Sequence, residues 1–356
     1  NPDESFRILG LTFTVKAANE MQNRIRELIG ENSRRIQLRT FHSFCTDLLR
    51  QHGSHLGLKP DFSVITDDKD RIAILGDMRE SGDLEIDNPE DSLKKIDIML
   101  THGITAEELP EYFKSGKEDS CRALQDVFRG YVHRLAQENQ LDFGSMLHFT
   151  RELLASKPRI ARQVRTVYPY VCVDEFQDTN LAQYRVLRLV APGSSANLFV
   201  VADDDQIIFQ WNGADPKRLE ELKHDYEPQI IQLPENYRCP AVRLETFADF
   251  DAEVDGLISE IQPVSKNLRE NCLVIARSNK LLACVQKAMH AAGMNAEIVS
   301  KHQDFASPLV QLMNLTLKLA NSPDSRSLLN KLCSAATLVN DITVSAEDVS
   351  AKAKVE

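Results

Sequence analysis

The chain contains no Gly-x-x-x-x-Gly-Lys-Ser/Thr run, the loop whose backbone N–H groups and lysine cradle a triphosphate. It has no apolar stretch long enough to span a bilayer and no basic-then-apolar secretion signal, so no membrane association is expected and the cytoplasm is the expected compartment. Its seven cysteines, at 45, 121, 172, 239, 272, 284 and 333, form no Cys-x-x-Cys pair and have no histidines at metal spacing. That pattern excludes a zinc module and fits reduced, packing thiols. Positive charge is also short. With 42 Lys and Arg against 53 Asp and Glu, the net charge is −11, which argues against coating nucleic acid by bulk electrostatics. Binding a single strand by stacking on a few rings survives that test, because it needs only local positive charge.

What is present is chemistry at the ends of apolar runs. At 356 residues and 42% hydrophobic, the chain is long enough for two or three domains with cores of their own. The run Val171-Cys172-Val173-Asp174-Glu175-Phe176-Gln177-Asp178-Thr179-Asn180 passes from a strand-like segment to paired carboxylates. Ligands of open α/β sheets sit beyond the strands' carboxyl ends, which would put Asp174 and Glu175 in a cleft. The expected roles are Mg²⁺ ligand for Asp174 and water-activating base for Glu175. An isolated pair of this kind is more often a solvated turn and helix cap. A second apolar strand, 198–201, runs into Ala202-Asp203-Asp204-Asp205-Gln206-Ile207-Ile208-Phe209-Gln210-Trp211-Asn212-Gly213, so two strands deliver polar clusters to one edge.

Together these strings resemble motifs II and III of UvrD/Rep/PcrA-like superfamily 1 DNA helicases. Leu11-Thr12-Phe13-Thr14-Val15-Lys16-Ala17-Ala18-Asn19-Glu20-Met21 is similar to motif Ia, Thr40-Phe41-His42-Ser43-Phe44 to the motif after it, and Pro234-Glu235-Asn236-Tyr237-Arg238-Cys239-Pro240 to motif IV. The matches keep the family's order over residues 8–332. The resemblance implies that Gln206 senses the γ-phosphate, that Tyr237 stacks on adenine and that Arg238 reaches the γ-phosphate. It further implies that Phe209 and Trp211 stack on bases, while Thr12, Phe13, Thr14, Thr40 and His42 line the same DNA groove. ATP and Mg²⁺ are the implied cofactors. The family's usual Gly-Asp-Asp-Asp-Gln-Ser-Ile-Tyr-x-Trp-Arg-Gly departs here at Ala202, Ile207, Phe209 and Asn212, which puts the coupling of strand binding to hydrolysis in doubt.

The fold class implied is α/β: two RecA-like parallel-sheet domains of the P-loop NTPase type, both incomplete. Residues 1–48 and 141–233 are expected to form the first domain, 49–140 an inserted helical subdomain, 234–333 part of the second domain, and 334–356 a tail or the start of a further helical insertion. Apolar periodicity predicts a strand over 7–13, a helix over 16–29 and a mainly helical run over 41–154. Residues 230–233 are predicted as a strand. Strand-like 273–276 and 296–299, alternating with helical 281–292 and 308–320, predict a second parallel sheet.

The function expected from the resemblance is an ATP-dependent DNA helicase or translocase, with 3′ to 5′ polarity, moving on single-stranded DNA as two RecA-like domains close around ATP. The chain reads as an internal portion of a longer protein with its phosphate loop upstream of Asn1, inactive in ATP hydrolysis by itself. Single-stranded DNA and duplex junctions are the expected partners, with repair or defence proteins as candidates. The alternative is a non-motor module that grips DNA or a protein partner. A metal-dependent nuclease using the acidic cluster fits less well, because Gln206 sits beside carboxylates in nucleotide-site order.

Overall fold

A computed structural model describes residues 6–82, 84, 86–112, 118–233, 235, 243–269, 272–298, 312–313, 315–317, 319 and 326–340. They fall into two compact units, one comprising residues 1–229 with 312–356 and the other residues 230–311.

The first unit is built on a parallel sheet of β1 (Ile8–Thr12), β2 (Ile36–Thr40), β5 (Tyr170–Val173) and β6 (Asn197–Val200), in the order β2-β1-β5-β6. Its register aligns Thr12 with Thr40, Leu11 with Val173, and Val173 with Val200, so all four strands finish at one edge. Leu9, Leu11, Val171 and Val173 are buried, as expected of strands covered on both faces. The open edge is different: on β6, Phe199 is 63% exposed.

Helices follow the strands directly, each begun by a side chain at the carboxyl edge. Thr14 Oγ1 accepts from the Ala17 N–H at 3.1 Å to start α1 (Val15–Ile29), which buries only Ala18. Thr40 and Ser43 make reciprocal bonds that start α2 (Phe41–His52). Asn180 and Gln183 do the same for α9 (Leu181–Val190). Caps of this kind satisfy otherwise orphaned N–H groups and contribute about 1 kcal/mol each.

Between α2 and β5 the chain is mostly helical: α3 (Asp68–Glu80), α4 (Pro89–Thr101), α5 (Leu109–Tyr112), α6 (Glu118–Gln137), α7 (Phe143–Ser156) and α8 (Pro158–Val167). A short parallel pair, β3 (Ser63–Val64) with β4 (Gln140–Leu141), closes this stretch before α7. One continuous core runs from Leu9 and Val173 through Leu100, Tyr131 and Leu153. Arg151 and Arg185 both donate to the Gly103 carbonyl, at 2.7 and 2.8 Å, and both pair with Glu108. The helical stretch is thereby tied to α9, the helix that follows the acidic turn. After β6, α10 (Lys217–Tyr226) returns to the core through Leu222 and Tyr226.

The second unit contains α11 (Phe250–Ile261), α12 (Lys266–Arg269) and α13 (Asn279–Ala291), of which α11 and α13 pack around Val254, Val285, Met289 and Met294. Here the structure departs from the sequence expectation. Among its described residues there is no strand, and 230–233, 273–276 and 296–298 adopt no regular secondary structure. Leu273 and Ile275 are 76% and 84% exposed, so their apolar composition is not matched by a neighbouring strand. The Ala296 carbonyl accepts from Gln286 Nε2 at 2.8 Å instead of from a ladder. Residue 299 and most of 308–320 lie outside the described residues. The helix α14 (Arg326–Asn340) belongs to the first unit, where it contacts α3.

The chain is therefore α/β with a parallel sheet, the architecture expected of a RecA-like helicase domain.

Candidate nucleotide and DNA site

The ends of β5 and β6 are locked together before either presents its acids. The Asp174 N–H donates to Leu11 O at 2.9 Å, the Val201 N–H to Val173 O at 2.8 Å, and the Phe176 N–H to Val201 O at 3.0 Å. Glu175, between two of these bonds, is left-handed, with φ 52° and ψ 43°. For a non-glycine residue that conformation costs about 1 kcal/mol or more. It persists because both flanking amides are held, and it leaves Asp174 half-buried and Glu175 exposed at the carboxyl edge.

A chain of polar bonds crosses from one strand end to the next. Gln177 Nε2 donates to Glu175 Oε2 at 2.6 Å, and the Asp203 N–H donates to Gln177 Oε1 at 3.1 Å. Asp203 caps the short 3₁₀ turn Asp204–Gln206 by accepting from the Asp205 N–H at 3.1 Å, and its other oxygen accepts from Gln206 Nε2 at 2.6 Å. The structure thus links Glu175 to Gln206 through Gln177 and Asp203. Gln177 carries no role in the motif reading, and its one sequence signal is its place inside the Asp-Glu-Phe-Gln-Asp string.

Rings lie beside this chain. Phe13, at the end of β1, and Phe209 are 4.4 Å apart between ring centroids and tilted by 36°. His42, on the first turn of α2, meets Phe143 edge-on at 5.3 Å, and Phe143 is 50% exposed. Sequence reasoning passed over Phe143. The signal was an aromatic residue directly after Asp142, which caps α7 from the end of β4. Trp211 lies in the 3₁₀ turn Gln210–Asn212, and its side chain is outside what the structure describes. That turn ends at Gly213, with φ 84°, where a Cβ would come within 2.3 Å of Thr101 Cγ2; only glycine fits.

The three threonines expected in the groove behave differently from the rings. Thr12 and Thr40 are 2% and 8% exposed, so little of either side chain faces solvent. The end of the sheet encloses Thr12, and Thr40 uses its hydroxyl as a cap. Thr14 is exposed, with its hydroxyl engaged at the start of α1.

Burial sets the electrostatics around the edge. Asp178 lies beneath the acidic turn, 6% exposed. Burial and the nearby Glu175 raise its pKa, while the Ile208 backbone amide pulls it down. Burial lowers the pKa of His42, partly opposed by a hydrogen bond with the Phe143 backbone. The imidazole is therefore neutral at pH 7, and any strand it meets is contacted by hydrogen bonding or ring surface and not by charge.

The donors at the edge are hard oxygens. A half-buried strand-end carboxylate such as Asp174 suits Mg²⁺, which keeps several waters and takes one or two carboxylates beside phosphate oxygens. Asp203, Asp204 and Asp205 bring exposed carboxylate oxygens within 4.8 Å of one another. Both oxygens of Asp203 already serve its own turn. Tyr237 and Arg238, the expected adenine and γ-phosphate contacts, lie outside the described residues. Among the described residues, no helix is long and apolar enough to cross a membrane.

Comparison with known proteins matches this arrangement. The UvrD/REP helicase N-terminal domain family matches residues 2–227. The ATP-dependent DNA helicase PcrA of Staphylococcus epidermidis (strain RP62A) is 33% identical over 236 residues, which is 65% of this chain and 32% of that protein. The ATP-dependent DNA helicase PcrA of Staphylococcus aureus (strain COL) is 32% identical over 240 residues, again 65% of this chain and 32% of that protein. The chain spans about a third of the length of the curated relatives it matches. With four of the five motif strings carried on one edge of a parallel sheet and the family match running through both acidic turns, the chain belongs to the UvrD/REP helicase family through its N-terminal domain.

Proposed function

We propose that this chain is the nucleotide- and strand-handling part of an ATP-dependent DNA helicase or translocase. The observation that carries the reading is the bonded path Glu175–Gln177–Asp203–Gln206 at the carboxyl edge of β5 and β6, with the Phe13–Phe209 ring pair beside it. In this reading Glu175 orients and deprotonates the attacking water, and Gln206 reads the γ-phosphate with an amide that both donates and accepts. Asp174 would hold Mg²⁺, which when bound neutralises phosphate oxygens. Tyr237 would stack on the adenine, and Arg238 would supply a permanent planar charge at the γ-phosphate.

Strand binding follows from the rings. Phe13, Phe209 and the His42–Phe143 pair would offer stacking surfaces, with Trp211 as a further expected one, each worth about 1 to 3 kcal/mol per base. This mode tolerates the acidic balance of the chain, because it relies on ring faces more than on cations. Movement would be 3′ to 5′ on single-stranded DNA, the direction the family resemblance implies, with duplex junctions as the structures acted on. Repair or defence proteins are the partners such an activity would serve.

The test is ATP turnover by the full-length protein with and without single-stranded DNA, compared with Glu175→Gln. Loss of turnover with ATP binding retained supports the assignment, and undiminished turnover removes Glu175 as the base. Strand binding with no ATP turnover in the wild-type protein would favour the non-motor module.

A further inference from the structure

We propose that Gln177 is a positioning residue that couples the Glu175 carboxylate to the Asp203–Gln206 turn, so that movement of that turn re-aims the carboxylate. The inference rests on the reading of Glu175 as the water-orienting base. Gln177 is 1% exposed, yet its two polar atoms serve groups on opposite strand ends. Its orientation is forced: a backbone N–H only donates and a carboxylate only accepts, so the oxygen must face Asp203 and the nitrogen Glu175.

Two features separate coupling from packing. Glu175 and Asp203 are both exposed, so water would satisfy either one without help from a buried amide. A filler at this position would serve equally well as Leu or Met. The amide is also planar and rigid, so the Asp203 amide cannot withdraw from Glu175 without breaking one of the two bonds. Asp203 in turn holds Gln206, and Phe209 three residues later stacks on Phe13. A strand or nucleotide that shifts this segment therefore reaches Glu175 through one buried side chain.

The experiment compares Gln177→Met, Gln177→Glu and Glu175→Gln in the full-length protein. It measures ATP turnover with and without single-stranded DNA, strand affinity, and hydrogen exchange at the Asp203 amide. In Gln177→Met, stimulated turnover should fall about thirtyfold and basal turnover about threefold, a loss of about tenfold in the stimulation ratio with strand affinity within about twofold of wild type. The Asp203 amide should exchange faster. Gln177→Glu keeps an acceptor for that amide but loses the donor to Glu175 once both carboxyls are ionised, so in assays on the alkaline side of neutral, protection should return while stimulated turnover stays at the Gln177→Met level.

A wild-type stimulation ratio in Gln177→Met, or wild-type turnover in Gln177→Glu, overturns the proposal. So does an equal fall in basal and stimulated turnover accompanied by lost strand affinity, which marks a purely structural role. Wild-type turnover in Glu175→Gln sinks the base reading instead. An unchanged stimulation ratio in Gln177→Met beside an inactive Glu175→Gln removes the coupling alone.

Discussion

Two acidic turns leave the same sheet edge, and they are built in opposite ways. Residues 176–180, after β5, are between 0% and 6% exposed, with Phe176 and Gln177 at 0% and 1%. Residues 202–206, after β6, are exposed throughout and are held mainly by bonds made by Asp203 and Gln177. The first turn is part of the core, so displacing it means opening packed apolar contacts. The second is restrained by a few polar bonds, each with a net worth of about 1 kcal/mol. Chemistry that must be fixed belongs on the first turn, and chemistry that must respond to a ligand belongs on the second.

The contrast can be broken at several points. Phe176→Ala should have the largest effect on the buried side, costing about 3–5 kcal/mol of stability by opening a cavity next to Tyr184, measured by denaturant unfolding. An equivalent truncation at Ile208, which is 72% exposed, should change stability by less than about 0.5 kcal/mol. Glu175→Gln should lower ATP turnover in the full-length protein by about a hundredfold or more at near wild-type stability, read by steady-state ATPase assay. On the exposed side, Phe209→Ala and Trp211→Ala should each weaken single-strand affinity by about tenfold, measured by fluorescence anisotropy of a labelled oligonucleotide.

A further effect, on the buried side, concerns Asp178 and depends on pH. Its folded-state pKa is raised, chiefly by burial, so the folded state holds its proton more readily than the unfolded chain does. The stabilisation from this group is present at pH below the ordinary carboxylate range and is lost as pH rises through the raised value. Asp178→Asn keeps an oxygen facing the Ile208 amide and removes the titration. It should be more stable than wild type at neutral pH by up to about 1 kcal/mol, with the gap closing toward acid, as followed by Tm across pH.

Three strands of the sheet were legible because they carry their own signal, apolar runs that stop abruptly in polar residues at Thr12, Asp174 and Asp203, whereas β2 alternates apolar and polar residues and lacks that signal. The helices after Thr14 and Thr40 were legible from apolar periodicity, while the capping bonds that start them emerge only in the structure. In the second unit, no strand is formed among the described residues at 230–233 and 273–276, and the reason is physical. Leu273–Ala276 has strand composition, but strand formation depends on a partner edge that local sequence does not encode, and here Leu273 and Ile275 face solvent. The candidate site was legible in its parts and not in its wiring. Asp174, Glu175 and Gln206 follow from strand ends, whereas the bond from Gln177 to Asp203 joins residues 26 apart in sequence and depends on the β5–β6 register. Sequence shows that Thr12 and Thr40 carry hydroxyls but not that the end of the sheet leaves them only 2% and 8% exposed.

A structure of the full-length protein with Mg²⁺ and a non-hydrolysable ATP analogue would test the account most directly. The γ-phosphate should lie within hydrogen-bonding reach of Gln206, with Asp174 on the metal ion and Glu175 facing the position of the attacking water. A γ-phosphate bound elsewhere, with Glu175 and Gln206 turned from it, would contradict the assignment of this sheet edge as the site of hydrolysis.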